Sequence, residues 1–303
     1  MKLPKKRIRY HLDIYFMIIA SFMFALSGVF AKLLAQHLPS VEIMFFRNII
    51  ATILVVYQIT KVEHKKVGGR FILLLLRSLA AVASLYLFFY NVSNISLGGA
   101  FTFLKTNAIF IVVISLIFLK EKLSFLGVCG ILLSFVGVIF VVDPFSFSGF
   151  NLKNSFFGIL SGLLSAASIT SMRQLGHYYN TEYILLAFFG VGVIMPVISM
   201  VLAFLNPSLC EYDFLVANFI MPSGIMWIWI LLMGWVSLLY QAYYTKAYKI
   251  TKKAGVVAGV SYLDIAFTLI FGLFLGDAIP SFIVFFGIIL IVVGGIIVSG
   301  AKR

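Results

Sequence analysis

Ten apolar runs, each about as long as a bilayer is thick, leave this chain little choice of fold. They fall at about 13–35, 41–60, 71–90, 97–119, 123–142, 155–173, 183–204, 225–245, 254–275 and 280–299. A helix needs about 20 apolar residues to cross roughly 30 Å of hydrocarbon. Only 11% of the 303 residues are charged, where a soluble domain would be nearer about a quarter. The runs are continuous rather than alternating, which excludes a closed β-barrel. The connections are too short for a soluble domain. The expected fold class is therefore all-α integral membrane, with ten transmembrane helices.

The formal net charge is +13, which on a soluble chain would suggest nucleic acid. Its distribution says otherwise. If ten helices alternate, 18 of the 23 Lys and Arg lie on one side: before helix 1, between helices 2 and 3, 4 and 5, 8 and 9, after helix 6 and at the end. The opposite loops hold Lys153 alone. This is the positive-inside pattern, and it predicts a multi-pass inner-membrane protein with both termini cytoplasmic. The partner implied by the basic loops is the lipid bilayer, with no nucleic acid. The basic start, Met1 to Arg9, reads as the flank of helix 1 rather than a signal peptide, because the run that follows is too long. The two cysteines, Cys129 and Cys210, suit neither a disulfide framework nor a metal site.

Residues 13–142 and 155–300 look like two copies of one five-helix unit. An offset of 156 lays Phe118-Leu119-Lys120-Glu121 on Phe274-Leu275-Gly276-Asp277. Ser27–Lys32 pairs with Ser168–Arg173, and Glu42 and Glu182 follow at similar distances. Five is odd, so the second copy must be inverted. The loop charges mirror accordingly: the loop after helix 2 is basic, while its counterpart after helix 7 carries Glu211 and Asp213. Inverted repeats around a midplane site are a common plan for secondary transporters.

Four cations lie inside the apolar spans: Lys32, Arg47, Arg77 and Lys105. A charge near the bilayer centre costs several kcal/mol, so its retention points to function. Lys105 in helix 4 has an opposite number, Asp264 in helix 9, and both fall within about one or two turns of the midplane. Thr106, Asn107, Ser261 and Tyr262 add hydrogen-bonding groups beside them. Such walls suit a zwitterion, with Lys105 facing a carboxylate and Asp264 an ammonium or sulfonium. The alternatives are a structural ion pair, a lock that substrate opens by competition, or proton coupling through Asp264. Arg47 is a candidate gate or a partner for Glu42. Arg77 is a candidate coupling residue, with snorkelling to head groups slightly favoured. Lys32, Arg173, Glu42 and Glu182 sit at span ends, where charges are tolerated. Tyr86, Tyr240 and Gln241 sit deep enough to line a cavity, and an aromatic face could clamp a sulfonium. Tyr243, Tyr244 and Tyr248 read better as an interfacial belt. The glycines of helices 5 and 10 suggest close packing, with a homodimer as one use of it.

Pro39-Ser40-Val41-Glu42-Ile43-Met44-Phe45-Phe46-Arg47, the aromatic helix 3 running into Asn91–Ser96, Phe118-Leu119-Lys120-Glu121-Lys122, and Ser261-Tyr262-Leu263-Asp264 with Phe274-Leu275-Gly276-Asp277 occur in an order that resembles the drug/metabolite transporter superfamily, EamA type. The resemblance covers essentially the whole chain. It implies two inverted five-helix repeats, a central cavity, alternating access and a small-molecule substrate. The Glu-Ile-Met-Phe-Phe-Arg form is closest to carriers for S-adenosylmethionine uptake. An exporter of amino acids or drugs, or a lipid flippase, would share the fold. A proline is common after the midpoint of helices 4 and 9 in the family. Neither helix has one here, so the sequence supplies no signal for a kink.

An intramembrane enzyme would need clustered titratable groups. His11, His37, His64 and His177 all lie in flanks or loops, and no P-loop occurs. The chain is expected to be no enzyme and to need no cofactor.

Overall fold

The computed structural model describes residues 12–61, 68–107, 109–111, 113–114, 125–142, 152–211, 214–251, 257, 260–277, 279 and 281–300. These residues form helices and no strands. In chain order they are α1 (Leu12–Leu34), α2 (Ser40–Ile59), α3 (Phe71–Asn94), α4 (Leu97–Leu104), α5 (Phe125–Val142), α6 (Leu152–Tyr178), α7 (Thr181–Leu205), α8 (Met226–Ile250), α9 (Leu263–Phe274) and α10 (Phe282–Gly300). A short 3-10 turn, Pro207–Glu211, follows α7. By length and composition six of them, α1, α2, α3, α6, α7 and α8, can cross a membrane, and shorter apolar helices accompany them.

The surface and the interior are inverted relative to a soluble protein. Large apolar side chains such as Phe71, Phe204, Trp235, Phe274 and Phe282 are exposed, while Glu42, Arg47, Arg77, Lys105 and Asp264 are buried. A solvent of lipid rather than water explains both halves of that pattern, because only the protein interior can satisfy a charge there.

The largest interfaces each join a helix before residue 143 to one after 151: α5 on α10, α1 on α8, α3 on α6 and α2 on α7, with a smaller one of the same kind between α4 and α9. Smaller ones join α2 to α8 and α3 to α7, and α1 to α9 and α4 to α6. Adding or subtracting five from both labels turns each of these pairings into itself or into another of the set. Small residues permit the close approaches. A Cβ at Gly137 would sit 2.6 Å from the Gly287 carbonyl on α10, and one at Gly294 would meet the Gly130 carbonyl on α5 at the same distance. Gly130, Gly137, Gly287 and Gly294 are thus used against each other within the chain.

Helix ends bring the two halves into register. α9 stops in a Schellman turn, in which Gly276 takes φ +85°. The Asp277 N–H bonds the Gly272 carbonyl and the Gly276 N–H bonds that of Leu273. This turn aims the Asp277 carboxylate at the start of α4, where it accepts from Leu97 N–H at 2.7 Å. Ser96 accepts from Gly99 N–H at the same helix end. Two of the four orphan amides at that N-terminus are thereby satisfied. Lys32, at the end of α1, donates to the Ile95 carbonyl at 2.6 Å and stands 4.0 Å from Asp277. Lys32 is therefore tied down rather than simply placed at a tolerant end. The Phe-Leu-Gly-Asp mark is a device for crossing from one half to the other. Its counterpart ending in Glu121 lies outside the described residues, as does the Arg173 side chain.

Candidate functional site

α4 and α9 are both interrupted, and at matching points. After Leu104 the chain turns at Lys105-Thr106 and is helical again where described over 107–114. Before Leu263 it turns at Ser261-Tyr262, with Val257 and Val260 helical beyond. The offset of 156 carries one turn onto the other. Both use tight i→i−3 bonds: Thr106 N–H to the Phe103 carbonyl at 3.1 Å, and Ile265 N–H to that of Tyr262 at 3.0 Å. No proline is needed. In α4, Thr102 Oγ1 donates to the Gly98 carbonyl and Thr106 Oγ1 to that of Phe103, and such back-bonding bends helices. Gly158 and Gly162 of α6 accommodate the bend, since a Cβ at Gly162 would fall on Thr106 Oγ1.

The interruptions carry the charges. Lys105 Nζ lies 2.6 Å from Asp264 Oδ2, with the two side chains 5% and 2% exposed. The ammonium also donates to Ser261 Oγ at 3.0 Å. Asp264 Oδ1 and the Tyr262 hydroxyl are buried without a hydrogen-bond partner. Asn107 Nδ2 donates to Ser165 Oγ of α6. The pair is thus dry and strongly coupled, yet one carboxylate oxygen and one phenol next to it are unspent. A buried group in that condition is a point where a ligand can add contacts.

A second charged region lies between α2, α3, α7 and α8. Arg47 is 1% exposed. It donates to Ser237 Oγ at 2.9 Å and Asn48 Oδ1 at 3.0 Å. Phe89, Phe188 and Phe189 surround its guanidinium at 5.6–5.9 Å from their centroids. Ser237 in turn meets Ser27 of α1 at 2.7 Å, and Asn48 Nδ2 donates to the Gly192 carbonyl. Of the two alternatives for Arg47, the pair with Glu42 does not form. Glu42 Oε2 instead accepts from Ile220 N–H in the segment before α8, and Glu42 is fully buried with Oε1 unpartnered. It is not a tolerated charge at a span end, because the 214–225 segment covers it. Arg77 does not snorkel either: it is 3% exposed, with its guanidinium carbon 5.4 Å from the Phe188 centroid and its Nε and Nη1 without partners.

The aromatic face of α8 also differs from the expectation. Tyr240, Tyr244 and Tyr248 pack with tilted rings along one stripe at i, i+4 and i+8, with centroids 5.4 and 4.8 Å apart. Tyr244 and Tyr248 are buried, so they form no interfacial belt. Tyr240 stacks on Phe24 of α1 at 4.3 Å. Tyr243 lies off the stripe, against Phe16. Gln241 is buried. Tyr86 is buried too, and its hydroxyl meets Ser199 Oγ of α7 at 3.0 Å, which ties α3 to α7. Sequence reasoning missed Phe188 and the inward Tyr244 and Tyr248; the four-residue spacing of the three tyrosines was the available signal.

Among the described residues no group of His, Cys, Asp and Glu could hold a metal ion. The arrangement binds and orients charge; it offers no nucleophile–base pair.

Comparisons with known proteins agree on the class. The model of the EamA-like transporter family matches residues 12–143. A transporter of Helicobacter pylori, itself uncharacterised, is 30% identical over 93% of this chain and 92% of its own length. A pseudopaline exporter, CntI, of Pseudomonas aeruginosa is 26% identical over 94% and 95%. The mouse solute carrier family 35 member G1 is 26% identical over 89% of this chain and 73% of its own. One crystal structure superposes with a TM-score of 0.62 over 94% of both chains at 16% identity, a likeness of fold alone.

Proposed function

Because the chain belongs to the EamA-like transporter family, and is a multi-pass membrane transporter rather than an enzyme, we propose that it moves a small zwitterionic metabolite across the bacterial inner membrane by alternating access. The observation that carries this reading is the Lys105–Asp264 pair, held at the matched interruptions of α4 and α9. Substrate would compete for the pair: its carboxylate takes Lys105, and its ammonium or sulfonium takes Asp264, whose Oδ1 is already unspent. The empty carrier is then locked by the same two charges that recognise the cargo. Asn107, Tyr262, Tyr240, Gln241 and Tyr86 complete the candidate lining, with Arg47, Glu42 and Arg77 as gate or coupling residues.

The proposed frame is ten transmembrane helices in two inverted units, 13–142 and 155–300, with both termini cytoplasmic. The exchange of helix pairings on adding five to each label supports it, as does a family match over 12–143. In this orientation the Lys32–Asp277–Leu97 contacts and the Glu42–Ile220 cap lie toward the outer face, and they close it. Uptake of an S-adenosylmethionine-like or amino-acid-like cargo is the first form of the proposal. Export is the second, favoured by the likeness to CntI.

The test is counterflow in proteoliposomes loaded with amino acids, S-adenosylmethionine or nucleotides, paired with thermal shifts of the purified protein. Lys105→Ala and Asp264→Asn should abolish the response to the best ligand. An unchanged response in both variants removes this site from consideration.

A further inference from the structure

Among the buried cations Lys105, Arg47 and Arg77, Arg77 is the one for which no hydrogen bond or ion pair is seen among the described residues. Lys105 has Asp264 and Ser261. Arg47 spends Nε and Nη1 on Ser237 and Asn48. Arg77 is as deeply buried, yet its Nε and Nη1 are unpartnered, and its recorded neighbour is the face of Phe188. A desolvated guanidinium with idle donors is strongly unfavourable unless something arrives to use them.

Its position says what arrives. A run of contacts leads from Arg77 to the ion pair: Arg47 shares the Phe188 ring and bonds Ser237 of α8, one turn on Tyr240 stacks on Phe24, and Phe24 packs at 4.6 Å on Phe101, one turn before Lys105. The arginine thus stands at one end of this run of contacts and the ion pair at the other. Arg47 lies 5.9 Å from the Phe188 centroid and adds a second positive charge at the Arg77 end. Once Lys105 and Asp264 are set against each other, the interior keeps a positive surplus that a simple zwitterion leaves unanswered. A planar fork of donors is suited to a carboxylate or phosphate, which it can hold through two bonds.

We infer that Arg77 is an anion subsite, which binds a second anionic oxygen group, carboxylate or phosphate, on a zwitterionic cargo whose other end engages Lys105 and Asp264. This rests on the zwitterion reading above and extends it from a neutral amino-acid-like cargo to one with net negative charge.

The test uses ligand pairs that differ by that group alone, on the full-length protein in detergent. They are L-glutamate against L-glutamine, and O-phospho-L-serine against L-serine. In the wild type both members should raise Tm, and the anionic member of at least one pair should raise it clearly more than its neutral twin; which pair discriminates identifies carboxylate or phosphate. Arg77→Gln should raise the apparent Kd for the anionic member by about 10- to 100-fold and leave the neutral one within about twofold. Arg77→Lys keeps the charge without the fork and should fall between, which also covers a Gln variant that fails to fold. Wild-type protein that does not discriminate within either pair overturns the subsite. So does an Arg77→Gln protein that melts earlier but discriminates as before, since that is a structural role. Asp264→Asn separates the two proposals. If it abolishes binding of all four compounds, the zwitterion site stands; if it changes nothing while Arg77→Gln removes discrimination, the subsite stands alone.

Discussion

Removing one member of the Lys105–Asp264 pair should do more damage than removing both. The two side chains are almost fully enclosed, 2.6 Å apart, and Ser261 is the other partner of the ammonium among the described residues. In Lys105→Met the Asp264 carboxylate keeps its burial and loses Oδ2's partner, while Oδ1 has none to begin with. Breaking a buried pair in this way costs about 3–5 kcal/mol. For a chain of this size 1 kcal/mol moves Tm by about 2 °C, so the expected fall is about 6–10 °C. Asp264→Leu strands the ammonium and should fall by a similar amount. In Lys105→Met/Asp264→Leu no charge is stranded, and apolar side chains of similar volume restore stability to within about 1–2 kcal/mol of the wild type. Thermal unfolding of the four proteins closes the cycle, and counterflow of the best ligand is read on each. All three variants should be inactive, the double one although it is stable. Additive losses, with the double variant melting lowest, would refute the energetic reasoning. A double variant that is both stable and active would reduce the pair to a structural tie.

Three further outcomes follow from single contacts. Gly162→Val drives two methyls into the Thr106 turn, and overpacking of this kind costs about 1–3 kcal/mol; Tm should drop and counterflow should weaken, whereas Gly190→Ala, with open space at its Cβ, should be neutral in both assays. Arg47→Lys cannot serve Ser237 and Asn48 together and should lose about 2–3 kcal/mol by the same unfolding measurement, with Arg47→Met worse. Asp277→Asn weakens the cap on Leu97 and the contact with Lys32; a loss of about 1 kcal/mol is expected, together with faster labelling of a cysteine placed at Ser96 by an impermeant reagent added from outside.

Much of the candidate site could be read before any fold was known, but only as a set of residues. Lys105 and Asp264 stood out because a lone charge in an apolar run is costly wherever it points. The expectation that they occupy related helices came from the similar acidic marks after helices 4 and 9. What the chain order could not convey was rotation about each helix axis. Tyr244 and Tyr248 lie near a span end, where a belt and an inward stripe use the same residues; the stripe wins because Tyr240 is anchored on Phe24. Arg77 lies near its helix start, where snorkelling is open to an isolated helix; packing against Phe188 of α7 draws it inward instead.

By itself, then, the sequence determined the solvent. Apolar runs of that length allow helices in lipid and little else, and the skew of Lys and Arg predicts which ends face the cytoplasm. It also singled out one midspan cation, Lys105, and one midspan carboxylate, Asp264. Only the tertiary structure decided that these two charges, Lys105 and Asp264, meet across the chain, that α4 and α9 break there without proline, and that Arg47 turns to Ser237 rather than to Glu42 five residues away. The physical reason is common to all three. Hydropathy is a sum along one helix, whereas a partner inside a membrane protein is chosen by which helix faces abut, and that depends on every other interface at once.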